Sequence, residues 1–108
     1  MIKKNGYYYS MPLEFEEEHA GVVIKKKYFR FFVFDENGHI YSNIIWENNK
    51  LIKEDILYKL GNSNVVYQLN NNVVEIISEF SERKELNIVT PDYFYDCDLI
   101  EYHFHPWE

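Results

Sequence analysis

One cysteine, three prolines and four glycines are all that this chain of 108 residues holds of the residues that staple, stiffen or loosen a backbone. A lone Cys97 excludes an intrachain disulfide, which fits a reducing compartment. Apolar runs are short, and none approaches the roughly 20 residues a helix needs to cross a bilayer. Met1 to Gly6 carries positive charge with no apolar stretch behind it, so neither a signal peptide nor a membrane anchor is read there. The expected setting is cytoplasmic. Cations are scarce as well: 11 Lys and Arg face 18 Asp and Glu, a net charge of −7. Nucleic-acid binding needs a basic face that displaces counterions from phosphates. Lys25-Lys26-Lys27 is the single basic cluster, so DNA and RNA are excluded as partners and a basic protein is favoured. Recognised catalytic sequences are missing too. Ser10, Ser42, Ser63, Ser78 and Ser81 lie in no nucleophile elbow, and there is no phosphate loop or dinucleotide fingerprint.

Bulk is what the chain has. Hydrophobic residues make up 46% and aromatics 19%, enough for one core in a single domain spanning 1–108. Tyr, Phe and Ile favour pleated surfaces. Tyr7 to Ser10 reads as a first strand, stopped by Met11-Pro12. Leu13 to Gly21, with Glu14, Glu16, Glu17, Glu18 and His19, reads as a solvated acidic loop. Val22 to Phe34 is a long second strand, Asp35 to Gly38 a turn, and His39 to Ile45 the antiparallel return. The period then changes. Asn48 or Asn49 is placed to cap a helix near 50–60 in which Ile52, Ile56 and Leu60 share a face, with Gly61 as its stop. Val65 to Leu69 and Val73 to Phe80 form a hairpin around Asn70-Asn71-Asn72. Ser81 to Glu85 is a polar turn, Leu86 to Thr90 a short strand, Pro91-Asp92 a break, and Leu99 to Phe104 the closing strand. Short strands, tight turns and one helix predict a mainly β fold, an antiparallel curved sheet forming a small barrel or half-barrel.

Gly6-Tyr7-Tyr8, the run Tyr28 to Phe32, the turn at Gly38 and the Asn70 to Asn72 turn occur in an order that resembles small bacterial lipocalin-like proteins, calycin-type half-barrels. The resemblance implies a barrel or half-barrel and no particular chemistry.

The run Tyr28-Phe29-Arg30-Phe31-Phe32-Val33-Phe34 is apolar on both faces, whereas a half-buried strand alternates. If Phe34 pairs with His39, then Phe29, Phe31 and Val33 lie beside Ile40, Ser42 and Ile44 as core. The other face carries Tyr28, Arg30, Phe32 and Phe34 beside His39, Tyr41 and Asn43, and its Tyr, Phe, Arg and His are the residue mix of a recognition surface. That face either meets a partner or is covered within the monomer, by the helix or by the Leu13 to Gly21 loop.

Other residues invite chemistry. Alternation puts Glu101, His103 and His105 on one face of the last strand, a carboxylate and two imidazoles of the kind that hold zinc with an open position. Their alternative is a solvated strand face, with Ile100, Tyr102 and Phe104 buried. The Glu16 to His19 cluster lacks the fixed geometry of general acid–base work. Cys97, between Asp96 and Asp98, sits among charges of the wrong sign for a nucleophile. Trp46 and Trp107 could each anchor a contact or pack an edge.

The expectation is a non-enzymatic binding module without a cofactor. It would recognise a basic protein, in the manner of an immunity or inhibitor protein, with pairing of two copies through the same face as a variant. A carrier or sensor of an apolar small molecule is the second reading. A metal-dependent enzyme using Glu101, His103 and His105 is the third.

Overall fold

The structure is a computed structural model, and it describes residues 2–79 and 83–107. Among the described residues nine strands and one helix follow in the order β1 (Gly6–Ser10), β2 (Leu13–His19), β3 (Val22–Phe34), β4 (Ile40–Trp46), α1 (Lys53–Gly61), β5 (Val66–Asn70), β6 (Val73–Ile77), β7 (Lys84–Thr90), β8 (Tyr93–Tyr95) and β9 (Glu101–Pro106). All pairings are antiparallel, and the strands make one sheet that does not close by a ladder. Its two borders meet at one point: Ile40 N–H donates to Val65 O at 3.1 Å and Tyr67 N–H to Gly38 O at 2.9 Å. The mainly β half-barrel with one short helix is therefore what the chain forms.

Both faces of the C-terminal part of β3 are buried, by different partners. Phe34, with Phe32 beside it, points into the curl and packs with Tyr8, Ile40, Val74, Leu86, Phe94 and Tyr102. Phe31 and Val33 point outward and are covered by Ile56 and Leu60 of the helix. The helix is thus the lid of the outer face, and the far strands of the same sheet line the inner one. Aromatic rings fill the centre: Tyr8 lies 4.6 Å from Phe94 and 5.7 Å from Phe34, centroid to centroid.

Several sequence expectations are corrected. Leu13 to His19 is a strand, not a loop, because its glutamates find cross-strand partners: Glu16 stands opposite Lys25, and Glu14 opposite Lys27. Ala20 and Gly21, with φ of 52° and 82°, close that hairpin in two residues. In the next hairpin Phe34 pairs with Ile40, not His39. The extra loop residue comes from Asp35, whose Oδ1 accepts the N–H groups of Asn37 at 2.9 Å and His39 at 2.8 Å. A one-residue slip turns every side chain of β4 over. Tyr41 therefore joins Val33 on the outer face, and Ile44 joins Arg30 on the inner one. The helix begins at Lys53 after Ile52, with no side-chain cap, and runs through Gly61 to a C-cap at Asn62, whose Nδ2 donates to Tyr58 O at 2.8 Å. Asn48 and Asn49 are not its caps, and Ile52 is exposed. Strand β8, at three residues, is too short to show a period in the sequence. The expected turn at Ser81 to Glu85 and the strand end at Phe80 fall partly outside the described residues, and β7 already begins at Lys84.

Candidate functional site

Strand β3 is long enough, at 13 residues, to serve two structures. Along one edge its C-terminal part pairs with β1, at Phe31 and Phe32, and its N-terminal part with β2, from Tyr28 to Val22. The Met11-Pro12 break lies between the two. There the Arg30 N–H is taken by the buried Ser10 hydroxyl at 2.9 Å, so the change of neighbour leaves no orphan donor. Strand β4 runs along the other edge. The result is an arm, β2 with the first half of β3, reaching beyond the curl; the molecule measures 48 × 29 × 29 Å.

On the inner side of this arm the aromatic row of β3 continues without a cover. Phe15 of β2, Tyr28 of β3 and Ile44 and Trp46 of β4 border a groove of about 420 Å³, with Arg30, Lys26 and Glu17 at its margins. Phe15, Ile44 and Trp46 remain 46%, 47% and 38% exposed. Trp46 is the hub: its ring centroid is 6.2 Å from Phe15 and 5.9 Å from Tyr28, both edge-on, and Lys26 Nζ lies 5.7 Å over it. Lys26 also reaches Glu17 at 3.0 Å, and His19 lies 3.4 Å from the same carboxylate oxygen. Lys26 first, and His19 after it, hold the Glu17 carboxyl below the ordinary carboxylate range.

At the inner end the groove meets a second opening of about 410 Å³ at the mouth of the curl, bordered by Arg30, Ile44, Ser42, Lys84, Asp96 and Tyr102 among others. Arg30 and Ile44 belong to both. Arg30 Nη1 lies 3.9 Å from Asp96 Oδ2, which also accepts the Tyr102 hydroxyl at 2.9 Å. Asp96 Oδ1 takes the N–H groups of Asp98 and Ile100 at 2.9 and 3.0 Å. This carboxylate is a structural hub, buried and hydrogen-bonded on both oxygens. Burial, and then Asp96, push the Tyr102 hydroxyl well above its ordinary value.

The residues expected to form one recognition face are divided. Tyr28 and Arg30 lie in the groove, and Phe32 lies at the mouth, partly buried. Phe34 is fully buried in the core and is no contact residue in the folded chain. His39 is held in the β3–β4 loop, its Nδ1 3.1 Å from Asp35 Oδ2. Tyr41 is on the outer face, with Lys59 of the helix 5.8 Å over its ring. Phe15, Lys26 and Ile44 were missed. The readable signal was a run of glutamates and a run of lysines at matching distances on either side of Ala20-Gly21, opposite charges placed to pair across a hairpin.

The three residues of the metal reading lie on the last strand, β9. Glu101, His103 and His105 do share a face, and His103 Nε2 lies 3.4 Å from Glu101 Oε2. The two imidazoles are stacked on different tyrosines, His103 on Tyr93 at 5.0 Å and His105 on Tyr7 at 5.4 Å. Among the described residues no three His, Cys, Asp or Glu side chains converge as a metal requires. Trp107 packs against the outer cluster beside Tyr7, at 5.0 Å. Among the described residues no helix is long and apolar enough to cross a membrane.

No known protein family, curated protein or solved structure matches the chain.

Proposed function

We propose that this chain is a non-enzymatic protein-recognition module that docks a basic partner into the aromatic groove of the arm, in the manner of an immunity or inhibitor protein. The observation that carries the reading is the exposure of Phe15, Ile44 and Trp46 around Tyr28 and Arg30. Aromatic and arginine side chains clustered with a charged rim have the composition of an interface centre.

Charge supports the choice of partner. The four glutamates of β2 and the four cations Lys25, Lys26, Lys27 and Arg30 cancel within the arm, so the whole net charge of −7 resides in the rest of the chain. An acidic body beside a neutral apolar groove draws a basic protein in and lets the groove hold it. The carrier reading is disfavoured because Tyr8, Phe34, Phe94 and Tyr102 occupy the centre where a ligand would sit.

The test is capture of host proteins by the wild-type chain and by Trp46→Glu and Phe15→Glu, each checked for unchanged circular dichroism. The expected result is a basic protein retained by the wild type and lost from both variants. Equal capture by all three chains removes the reading.

A further inference from the structure

We infer that the free edge of β2 takes up an extended, basic segment of the partner as an added antiparallel or parallel strand. This takes the protein-recognition reading as its premise and adds the mode of contact.

Among the described residues strand β2 is a border of the sheet, paired with β3 alone, and the backbone groups along its other side have no strand to meet. The opposite border of the arm is partly blunted: on β4 the Asn43 Oδ1 accepts the Ile44 N–H at 2.8 Å. A strand laid along β2 would gain ladder hydrogen bonds and would also deepen the groove, because Phe15 forms the groove's wall on that side. Apolar side chains of the segment would then cover Phe15. The alternate side chains would lie on the outer face, beside Glu14, Glu16 and Glu18.

Those glutamates select the occupant. Antiparallel pairing of β2 with its own copy about Glu16 would set Glu14 against Glu18 and Glu16 against itself, and like charges directly opposite destabilise a ladder. The net charge of −7 on each copy adds to that repulsion. A lysine-bearing strand meets these carboxylates at one strand spacing, roughly 5 Å. It stays roughly 10 Å, near the screening length, from Lys25 and Lys27 one strand further in. Attraction at the nearer distance wins. The Lys25–Glu16 contact, at 3.8 Å between side chains more than 60% exposed, holds the glutamate too loosely to withhold it.

The experiment uses the whole chain labelled with ¹⁵N and the end-blocked peptide Lys-Val-Lys-Thr-Lys-Val-Lys. Amide exchange of the β2 residues should slow on binding. N-methylation of the peptide along one edge keeps its charge and removes its ladder bonds, and should weaken binding roughly tenfold. Glu16→Lys and Glu18→Lys should weaken it as well. Equal binding of the plain and N-methylated peptides, protection of amides elsewhere than β2, or no binding at all overturns the inference. A dimer in solution with β2 amides protected without peptide also overturns it, in favour of a second copy. Trp46 stands two strands from the edge, so the two proposals fail separately. Partner capture that is lost in Trp46→Glu, without strand addition at β2, sinks this inference and leaves the groove reading intact. Strand addition at β2 with capture unchanged in Trp46→Glu sinks the groove reading alone.

Discussion

The Tyr102 hydroxyl donates to Asp96 Oδ2 at 2.9 Å inside the mouth of the curl, at the point where the core meets the groove. Both residues are at least nine-tenths buried, and Asp96 serves two backbone donors besides. Asp96→Ala leaves the hydroxyl and both N–H groups without their acceptor. It should cost about 2–3 kcal/mol in urea unfolding, and Tyr102→Phe about 1 kcal/mol. The ratio between the two variants, rather than either value, tests the assignment of Asp96 as hub.

The same pair makes stability depend on alkaline pH. A tyrosine whose folded-state pKa is raised binds its proton more tightly when folded, so its contribution is intact below the ordinary value near 10 and is lost as pH rises above it. Tyr8, Tyr9 and Tyr67 are raised too, each chiefly by burial. Stability should therefore decline as pH climbs beyond about 10. Replacing Tyr102 by Phe should make that decline shallower. An unchanged slope in denaturation curves taken across this range would count against a buried, protonated Tyr102.

Phe34 and Tyr28 sit on the same face of β3, six residues apart, and should respond differently to truncation. Phe34 is sealed in the core, with Tyr67 at 4.9 Å edge-on, so Phe34→Ala should cost about 3–5 kcal/mol. Tyr28→Ala, in the open groove, should cost about 1 kcal/mol or less and should act mainly on partner binding. Equal destabilisation would mean that the arm is covered.

Gly6 is held where β1 lies against β9. A Cβ there would stand 2.6 Å from Phe104 Cζ and 2.7 Å from Pro106 Cα, and closer still to the His105 carbonyl oxygen. The ring tip can swing aside but the backbone cannot. Gly6→Ala should cost about 3 kcal/mol or prevent folding, read from the urea midpoint.

At the tip of the arm Ala20 takes a left-handed conformation that alanine resists. Ala20→Asn places Asn-Gly in a two-residue hairpin, the pairing such turns favour, and should stabilise the hairpin by about 0.5–1 kcal/mol. The gain should appear as slower amide exchange in β2.

Much of this was legible in the chain itself. The alternation within β3, the hairpin turns at Gly38 and at Asn70 to Asn72, and the helical spacing of Ile56 and Leu60 are local properties, and local periodicity reports them. A single cysteine excluded an intrachain disulfide, and the lack of a basic stripe limited the classes of partner, without any coordinates. The tertiary structure decided what covers each face. Tyr28, Arg30, Phe32 and Phe34 repeat the same alternation, yet Phe34 is in the core and Tyr28 in a groove. Among the residues that bury Phe34, Val74, Leu86 and Phe94 stand at least 40 positions further along the chain. The register of β4 turned on one carboxylate, Asp35, gathering two loop N–H groups, and β2 became a strand because lysines of β3 stood opposite its glutamates. Periodicity says which side chains share a face. Which face is covered depends on contacts between distant segments, and those exist only once the sheet has curled.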